Sequence, residues 1–235
     1  MNILDHNRIV LFTGAGMSAE SGVPTYRGQG GIWHEYKWEE YACQTAFDED
    51  PMRVLDFHEL RRIEALKCEP HSGHQMIKEV QEEHDDVWIV TQNIDGIHQR
   101  AENKNVVELH GSLWRLRCEN EGHIFYDLDK AEYRSRKCTC GSWLRPDIVW
   151  FNDMLDPEII GRSNELISCC DLFISIGTSG VVWPAAGYPQ LARSSGALCI
   201  EINPDPSEQS HFCLLYTSDA ADEGLGVDLG GRRII

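Results

Sequence analysis

The chain has 235 residues, 42% hydrophobic and 25% charged, with 38 acidic against 21 basic side chains and a formal charge of −17. That length buries a sizeable core in one large domain, or in one with a smaller lobe inserted. The acidic excess repels polyanions and excludes nucleic acid as a main partner. Met1 to Arg8 is polar, the apolar run Ile9 to Phe12 is too short for a secretory leader, and the uncharged stretch Leu172 to Ala192 is interrupted by Gly, Ser, Thr and Pro. Neither export nor membrane insertion is expected, and a cytoplasmic enzyme fits best. Nine cysteines, odd in number and unevenly spaced, do not form a secreted disulfide framework. Cys118, Cys138 and Cys140 cluster, while Cys43, Cys68, Cys169, Cys170 and Cys199 read as small buried thiols.

Four apolar, β-branched runs read as buried parallel strands: Ile9 to Phe12, Val87 to Val90, Leu172 to Ile176 and Ala197 to Ile202. Each is followed at once by a polar or glycine-rich segment: Thr13-Gly14-Ala15-Gly16, Thr91-Gln92-Asn93-Ile94-Asp95, Gly177-Thr178-Ser179 and Asn203-Pro204-Asp205. In an open α/β sheet the ligand lies beyond the carboxyl ends of the strands, so the four segments are expected to converge on one crevice. The expected fold is α/β, a Rossmann-like parallel sheet with two insertions. One is a helical module from about 28 to 83, helical around Pro51 to Leu66. The other is a small cysteine-bearing lobe of zinc-ribbon type at about 115 to 144.

From Cys213 the sequence resembles the translation of a transposase sequencing adapter. Val227 to Ile235 continues in the same frame as a flow-cell adapter. Residues 1–212 are therefore expected to form the catalytic domain and 213–235 a non-native tail, whose place a natural final helix would fill. Weak cofactor affinity and low stability are expected in consequence.

Gly14-Ala15-Gly16 with Ser18, Glu20, Ser21 and Gly22 makes a tight turn, nearly free of side chains, at a strand end. Backbone N–H groups and a helix start can hold a pyrophosphate there. The turn does not complete G-x-G-x-x-G, and no ribose-binding acid ends a second strand soon afterwards, which argues against a hydride-transferring dehydrogenase.

The run Gly14 to Gly28 (GAGMSAESGVPTYRG), Gln92-Asn93-Ile94-Asp95, Leu109-His110-Gly111-Ser112 and Gly177-Thr178-Ser179 together resemble the sirtuin family, in order, from about Ile9 to Pro206. The resemblance is greatest to bacterial class III deacylases. It implies removal of acyl groups from protein lysines with consumption of NAD, giving nicotinamide and acyl-ADP-ribose. Such chemistry depends on positioning and water exclusion, because a weak acyl oxygen captures an oxocarbenium-like ribose.

By this resemblance His110 is the general base at a ribose hydroxyl, a task that suits an imidazole. Asn93 and Asp95 meet the nicotinamide and its ribose, and Gln92 touches the reacting ribose. An Asx turn after the strand is the bland reading of Asn93 and Asp95, and both readings can hold. Gly14, Ala15, Gly16, Glu20 and Ile94 line the cofactor. Tyr26 and Arg27 correspond to an aromatic–arginine pair in the cofactor loop, where the usual aromatic is Phe. Gly177, Thr178 and Ser179 meet phosphate or ribose, and Asn203, Pro204 and Asp205 the adenosine side.

Ile148-Val149-Trp150-Phe151 and Gly180-Val181-Val182 resemble the two edges that clamp a substrate peptide through main-chain hydrogen bonds. Family members commonly continue the first with Gly-Glu, and this chain has Asn152-Asp153. Class III members place Tyr and Arg three residues apart on one helix face to bind an acidic acyl group. Here the pair is His58 and Arg61, which predicts a weakened preference for succinyl and malonyl groups, stronger at low pH where His58 becomes charged.

A structural zinc in this lobe normally takes two Cys-x-x-Cys pairs. The first pair here is Cys118 with Glu121, the second Cys138-Thr139-Cys140. Either His123 completes the set or the metal is lost and packing holds the lobe. Two rivals to deacylation remain: protein mono-ADP-ribosyl transfer at the same site, and a non-catalytic NAD-binding module.

Overall fold

The computed structural model describes residues 3–26, 31–128 and 130–216. Ile9–Thr13 (β1) is buried at every position, as an inner parallel strand covered on both faces must be. Five helices follow: Ile32–Glu35 (α1), Trp38–Tyr41 (α2), Gln44–Glu49 (α3), Pro51–Lys67 (α4) and Ser72–Glu83 (α5). The start of α4 is written in the sequence. The Asp50 carboxylate accepts the Arg53 N–H at 3.1 Å, and Pro51 takes the first turn, where its missing N–H costs nothing.

Then come Val87–Thr91 (β2), Ile97–Arg100 (α6), Val106–Glu108 (β3), Gly111–Cys118 (β4), Ile124–Tyr126 (β5), Leu144–Ile148 (β6), Pro157–Ser168 (α7), Leu172–Ile176 (β7), Tyr188–Ser194 (α8), Leu198–Ile202 (β8) and Leu214–Tyr216 (β9). Six strands form one parallel sheet in the order β3-β2-β1-β7-β8-β9. The chain runs outward from β1 through β2 to β3 and then outward on the other side from β7. The strand order therefore reverses between β1 and β7, the position where a crevice opens.

The four expected strands are β1, β2, β7 and β8. The three-residue β3 had no period long enough to mark it. Of the tail set apart at 213, Leu214–Tyr216 pair with Ile200–Ile202 as the edge strand β9, and residues 217–235 lie outside the described residues.

The two insertions are one body. Strands β5, β4 and β6 form a small antiparallel sheet. Its Leu116, Cys118, Leu144 and Ile148 share a core with Ala42, Phe47, Val54 and Leu55 from the helical module. Arg62 of α4 is fully buried and stitches the two together. Its Nη2 donates to the Asp127 carbonyl at 2.7 Å and lies 3.4 Å from the Asp127 carboxylate, and its guanidinium stacks over Trp114 and Tyr133. Helix α5 belongs elsewhere, because its Ile77 and Val80 pack under the large sheet. Of the scattered cysteines, Cys169 is exposed and the other four are buried. No helix among the described residues is long and apolar enough to cross a membrane.

Candidate active site

A cleft of about 1090 Å³ lies between the carboxyl edge of the large sheet and the smaller body. Its floor is backbone. A Cβ on Gly14 would sit 2.7 Å from the Gly177 carbonyl oxygen, and one on Gly16 would sit 2.7 Å from the Gly177 Cα. Gly177 itself has φ +62, and its Cβ would lie 2.3 Å from the Met17 nitrogen. Three glycines thus let the loops after β1 and β7 touch, leaving a smooth cradle of the kind a pyrophosphate requires. Ala15, Thr178, Ser179, Asn203, Pro204 and Asp205 complete this wall. Asn203 spends its amide N–H groups on the Thr178 carbonyl (2.8 Å) and the buried Glu201 carboxylate (2.6 Å), so it holds this wall together.

His110 lines the cleft with Gln92, Asn93 and Ile94. Its Nδ1 is 3.1 Å from the Gln92 carbonyl oxygen. A carbonyl only accepts, so Nδ1 carries the proton and Nε2 keeps its lone pair, the tautomer a general base needs. Burial lowers the ring below its ordinary range, keeping it neutral. Asn93 donates to the Gly14 carbonyl at 2.9 Å and the Ser18 hydroxyl at 3.1 Å, tying the β2 loop to the β1 loop.

Two expected cofactor residues stand outside the lining. Asp95 sits one layer back, where its carboxylate accepts the Ile97 N–H at 2.9 Å in an Asx turn, and its carbonyl accepts the Trp114 indole N–H at 2.7 Å. Glu20 is largely exposed and faces His71 at 3.7 Å, because the short helix Ala15–Ser18 turns it to solvent. Arg27 falls outside the described residues.

His58, Arg61 and Tyr26 line the far end with Trp33, Ala42 and Phe57. The expectation of a charged His58 is corrected here. Its ring is 3% exposed, stacks on Trp150 at 14° and accepts the Trp150 indole N–H at Nε2 (3.1 Å). Burial, reinforced by Arg145 and Arg61, pushes it down to about 3, so it is neutral throughout the physiological range. Arg61 differs from its neighbour Arg62: its Nε is buried without a partner, and it forms no ion pair among the described residues. Trp33, Ala42, Phe57 and Leu113 carried no motif. Ala42 supplies room only because α2 brings a small side chain to this wall.

At the first of the expected peptide edges, Val149, Trp150 and Phe151 line the cleft. The strand β6 ends at Ile148, and the N–H groups of Val149, Trp150 and Phe151 are spent on the His110 carbonyl, the Asp153 carboxylate and the Ala42 carbonyl. Only carbonyls remain there for a peptide. The Trp150 side chain is core, packed on Phe47 and Arg145. Asn152 adopts φ +68, the left-handed conformation that asparagine tolerates best after glycine. Opposite, Val181, Val182 and Trp183 line the cleft, while Gly180, at φ +71, turns behind them toward Gln209.

The donor atoms of Cys118, Glu121, Cys138 and Cys140 lie within 4.8 Å of one another. The Cys118 and Cys140 sulfurs are 3.5 Å apart. A tetrahedron with zinc–sulfur bonds of about 2.3 Å has edges of about 3.8 Å, so the set fits a structural zinc. Its fourth donor is Glu121, in the place of the missing cysteine. His123 stands behind it, Nδ1 3.1 Å from the Glu121 carboxylate and mostly exposed, outside the cluster.

A family model described as the Sir2 family matches residues 14–184. The chain is 39% identical over 224 residues to the NAD-dependent protein deacylase of Aquifex aeolicus, covering 94% of each. It is 44% identical over 231 residues to NAD-dependent protein deacylase 2 of Pyrobaculum aerophilum, covering 96% of this chain and 92% of the relative. Its fold matches a crystal structure of a Sir2 homologue–NAD complex with a TM-score of 0.84 at 38% identity, over 94% of this chain and 88% of that one. A mutant Sir2 homologue in complex with ADP-ribose gives 0.87 at 37% identity, over 94% and 90%. The chain belongs to the Sir2 family.

Proposed function

We propose that this chain is an NAD-dependent protein-lysine deacylase that removes acetyl groups and the acidic succinyl and malonyl groups, releasing nicotinamide and acyl-ADP-ribose. The observation that carries the reading is His110: a neutral imidazole with Nε2 free, its tautomer set by the Gln92 carbonyl, on the wall of a cleft floored by a three-glycine cradle. When bound, NAD supplies the ribose carbon to which the acyl oxygen is joined as nicotinamide departs. Gly14, Gly16 and Gly177 give the pyrophosphate room. Gln92, Asn93 and Ile94 face the nicotinamide end, and Asn203 to Asp205 the adenosine end. Asp95 positions the turn that carries Asn93. His110 accepts a ribose hydroxyl proton at Nε2, and the aromatic wall of Trp33 and Phe57 excludes water.

Arg61 supports the acidic part of the reading. A guanidinium without a carboxylate partner among the described residues, in a cleft lined by aromatic rings, is matched by an anion carried on the ligand. The partners are acyl-lysine segments of proteins. The place of action is the cytoplasm, a reading supported by nine cysteines of which none is paired in a disulfide.

The test is a panel of acetyl-, succinyl- and malonyl-lysine peptides with and without NAD. Wild type is expected to release nicotinamide only with an acyl peptide. His110→Ala is expected to lose about 10²- to 10⁴-fold in rate. Arg61→Met is expected to lose about 10- to 100-fold in kcat/KM on succinyl peptides, the worth of a hydrogen bond to a charged group. Label from NAD left on protein instead of in a small acyl-ADP-ribose would establish ADP-ribosyl transfer in its place.

A further inference from the structure

We infer that His98, a side chain outside the cleft, is a positioning residue for the nicotinamide end of the cofactor, its bare Nε2 setting the direction of a buried hydrogen-bond chain that ends on the Asn93 backbone. This rests on the placing of Asn93 at the nicotinamide end given above. Strands β1 and β2 end side by side on Thr13 and Thr91, paired in register just before the loops that line the cleft. Thr13 meets His98 of α6, and His98 meets Asn103 three residues beyond that helix. All four side chains are buried, so no bulk water stands in for a missing partner.

The protons of this chain have one consistent arrangement, fixed from the end far from the cleft. Asn103 donates its amide N–H to the His74 carbonyl at 3.0 Å. Its amide oxygen therefore faces His98 Nδ1, 2.9 Å away, and an amide oxygen only accepts. Nδ1 thus carries the ring proton, and Nε2, 3.1 Å from the Thr13 hydroxyl, is left as the acceptor. Burial holds the ring below the ordinary histidine range, so Nε2 stays bare. The Thr13 hydrogen is committed to His98, so across the 2.8 Å between the two hydroxyls Thr91 donates and Thr13 accepts. With its own hydrogen spent, the Thr91 oxygen accepts the Asn93 backbone N–H at 3.0 Å.

Asn93 is thereby pinned at its backbone, and its side chain is pinned where the amide donates to the Gly14 carbonyl and the Ser18 hydroxyl. What it can still offer a ligand is the amide oxygen, an acceptor suited to a carboxamide N–H such as nicotinamide carries. An Nε2–H ring would reverse both threonine hydroxyls and leave the Thr91 hydrogen beside the Asn93 N–H with no acceptor in the chain. The tautomer of a residue that touches no ligand thus decides how firmly a ligand-facing one is held.

Two measurements test this. In wild type with isotope-labelled imidazoles, nitrogen NMR is expected to find His98 protonated at Nδ1 alone, and a proton on Nε2 overturns the proposal. The second compares affinity for NAD with affinity for ADP-ribose, which lacks the nicotinamide, in calorimetric titrations that need no turnover. The NAD-to-ADP-ribose affinity ratio is expected to fall about two- to tenfold in His98→Phe and in Thr91→Val, the worth of one neutral hydrogen bond. It is expected to fall no further in their double variant, and to stay at the wild-type value in Thr91→Ser, which keeps the hydroxyl. A fall in Thr91→Ser as large as in Thr91→Val assigns the effect to packing and overturns the chain. An equal loss on both ligands in His98→Phe, or a ratio equal to wild type there while Asn93→Ala lowers it, overturns the role of His98. A ratio untouched by Asn93→Ala overturns the placing of Asn93 itself.

Discussion

The two walls of the cleft are made of different material. On the sheet side the contacts are backbone: Gly14, Gly16 and Gly177 approach so closely that no side chain fits, and Asn93 and Asn203 bind neighbouring carbonyls. On the side of the smaller body they are side chains, namely Trp33, Ala42, Phe57, His58 and Arg61. Backbone geometry reads what every NAD molecule shares and tolerates no substitution. Under the proposed function, side chains read what differs between acyl groups, and the histidine at 58 sits there as a neutral ring stacked on Trp150.

The sharpest test of this contrast compares two adjacent arginines. Arg62 is fully buried, paired with Asp127 and bonded to carbonyls of the smaller body. Arg62→Met is expected to cost about 3–5 kcal/mol of folding stability by taking one of its two cationic partners from the buried Asp127 carboxylate, which keeps Arg134, and by removing the donor to the Leu113, Asp127 and Lys130 carbonyls. Arg61→Met is expected to stay within about 1 kcal/mol of wild type, since it breaks no ion pair. Urea titration of both variants measures the difference, and equal midpoints would erase the distinction between structural and ligand-reading cations.

Next in size is the backbone wall. Gly177→Ala places a methyl group 2.3 Å from the Met17 nitrogen at a positive φ. A loss of about 3 kcal/mol is expected from strain and overpacking together. The rise in melting temperature that saturating NAD gives wild type is expected to vanish. Full retention of that rise would mean the cradle is not the pyrophosphate site.

The smallest effect is a pH slope. Burial holds His58 in the smaller body and His74 under the sheet at about 3, and both ring nitrogens of His74 lack partners. In the unfolded chain each titrates near 6.5, so below that pH the unfolded state binds protons the folded state refuses. The stability contributed by the neutral rings is complete above pH 6.5 and falls toward pH 3, by up to about 1.4 kcal/mol per pH unit for each ring. Acid thus weakens the fold, and it adds no charge to the acyl pocket. Melting temperatures between pH 7 and pH 4 check this, and His74→Phe is expected to flatten the slope by less than half, because burial also lowers His98 and His110. An unchanged slope would locate the acid sensitivity elsewhere.

Much of the sheet side was legible because its signals are local. Four β-branched runs announced β1, β2, β7 and β8, and the glycines announced loops without side chains. What escaped depended on contacts distant in sequence. Asp95 and Glu20 belong to a motif that says nothing of which way a short helix turns them. The N–H groups of Val149 and Phe151 looked free for a peptide until His110 and Ala42 supplied their acceptors. His58 looked titratable until Trp150 was found stacked on it.

From sequence alone came the strand positions, the glycine cradle and the α/β class, because hydrophobic period and backbone freedom act within a few residues, while the candidate base at 110 was what the family resemblance implied. Only the tertiary structure decided that the two insertions share one core, that Glu121 stands fourth beside three thiols, and that His58 is sealed and neutral. Each of these joins side chains from different elements. Burial and partnership, which set charge and hydrogen-bond direction, exist only once those elements have packed.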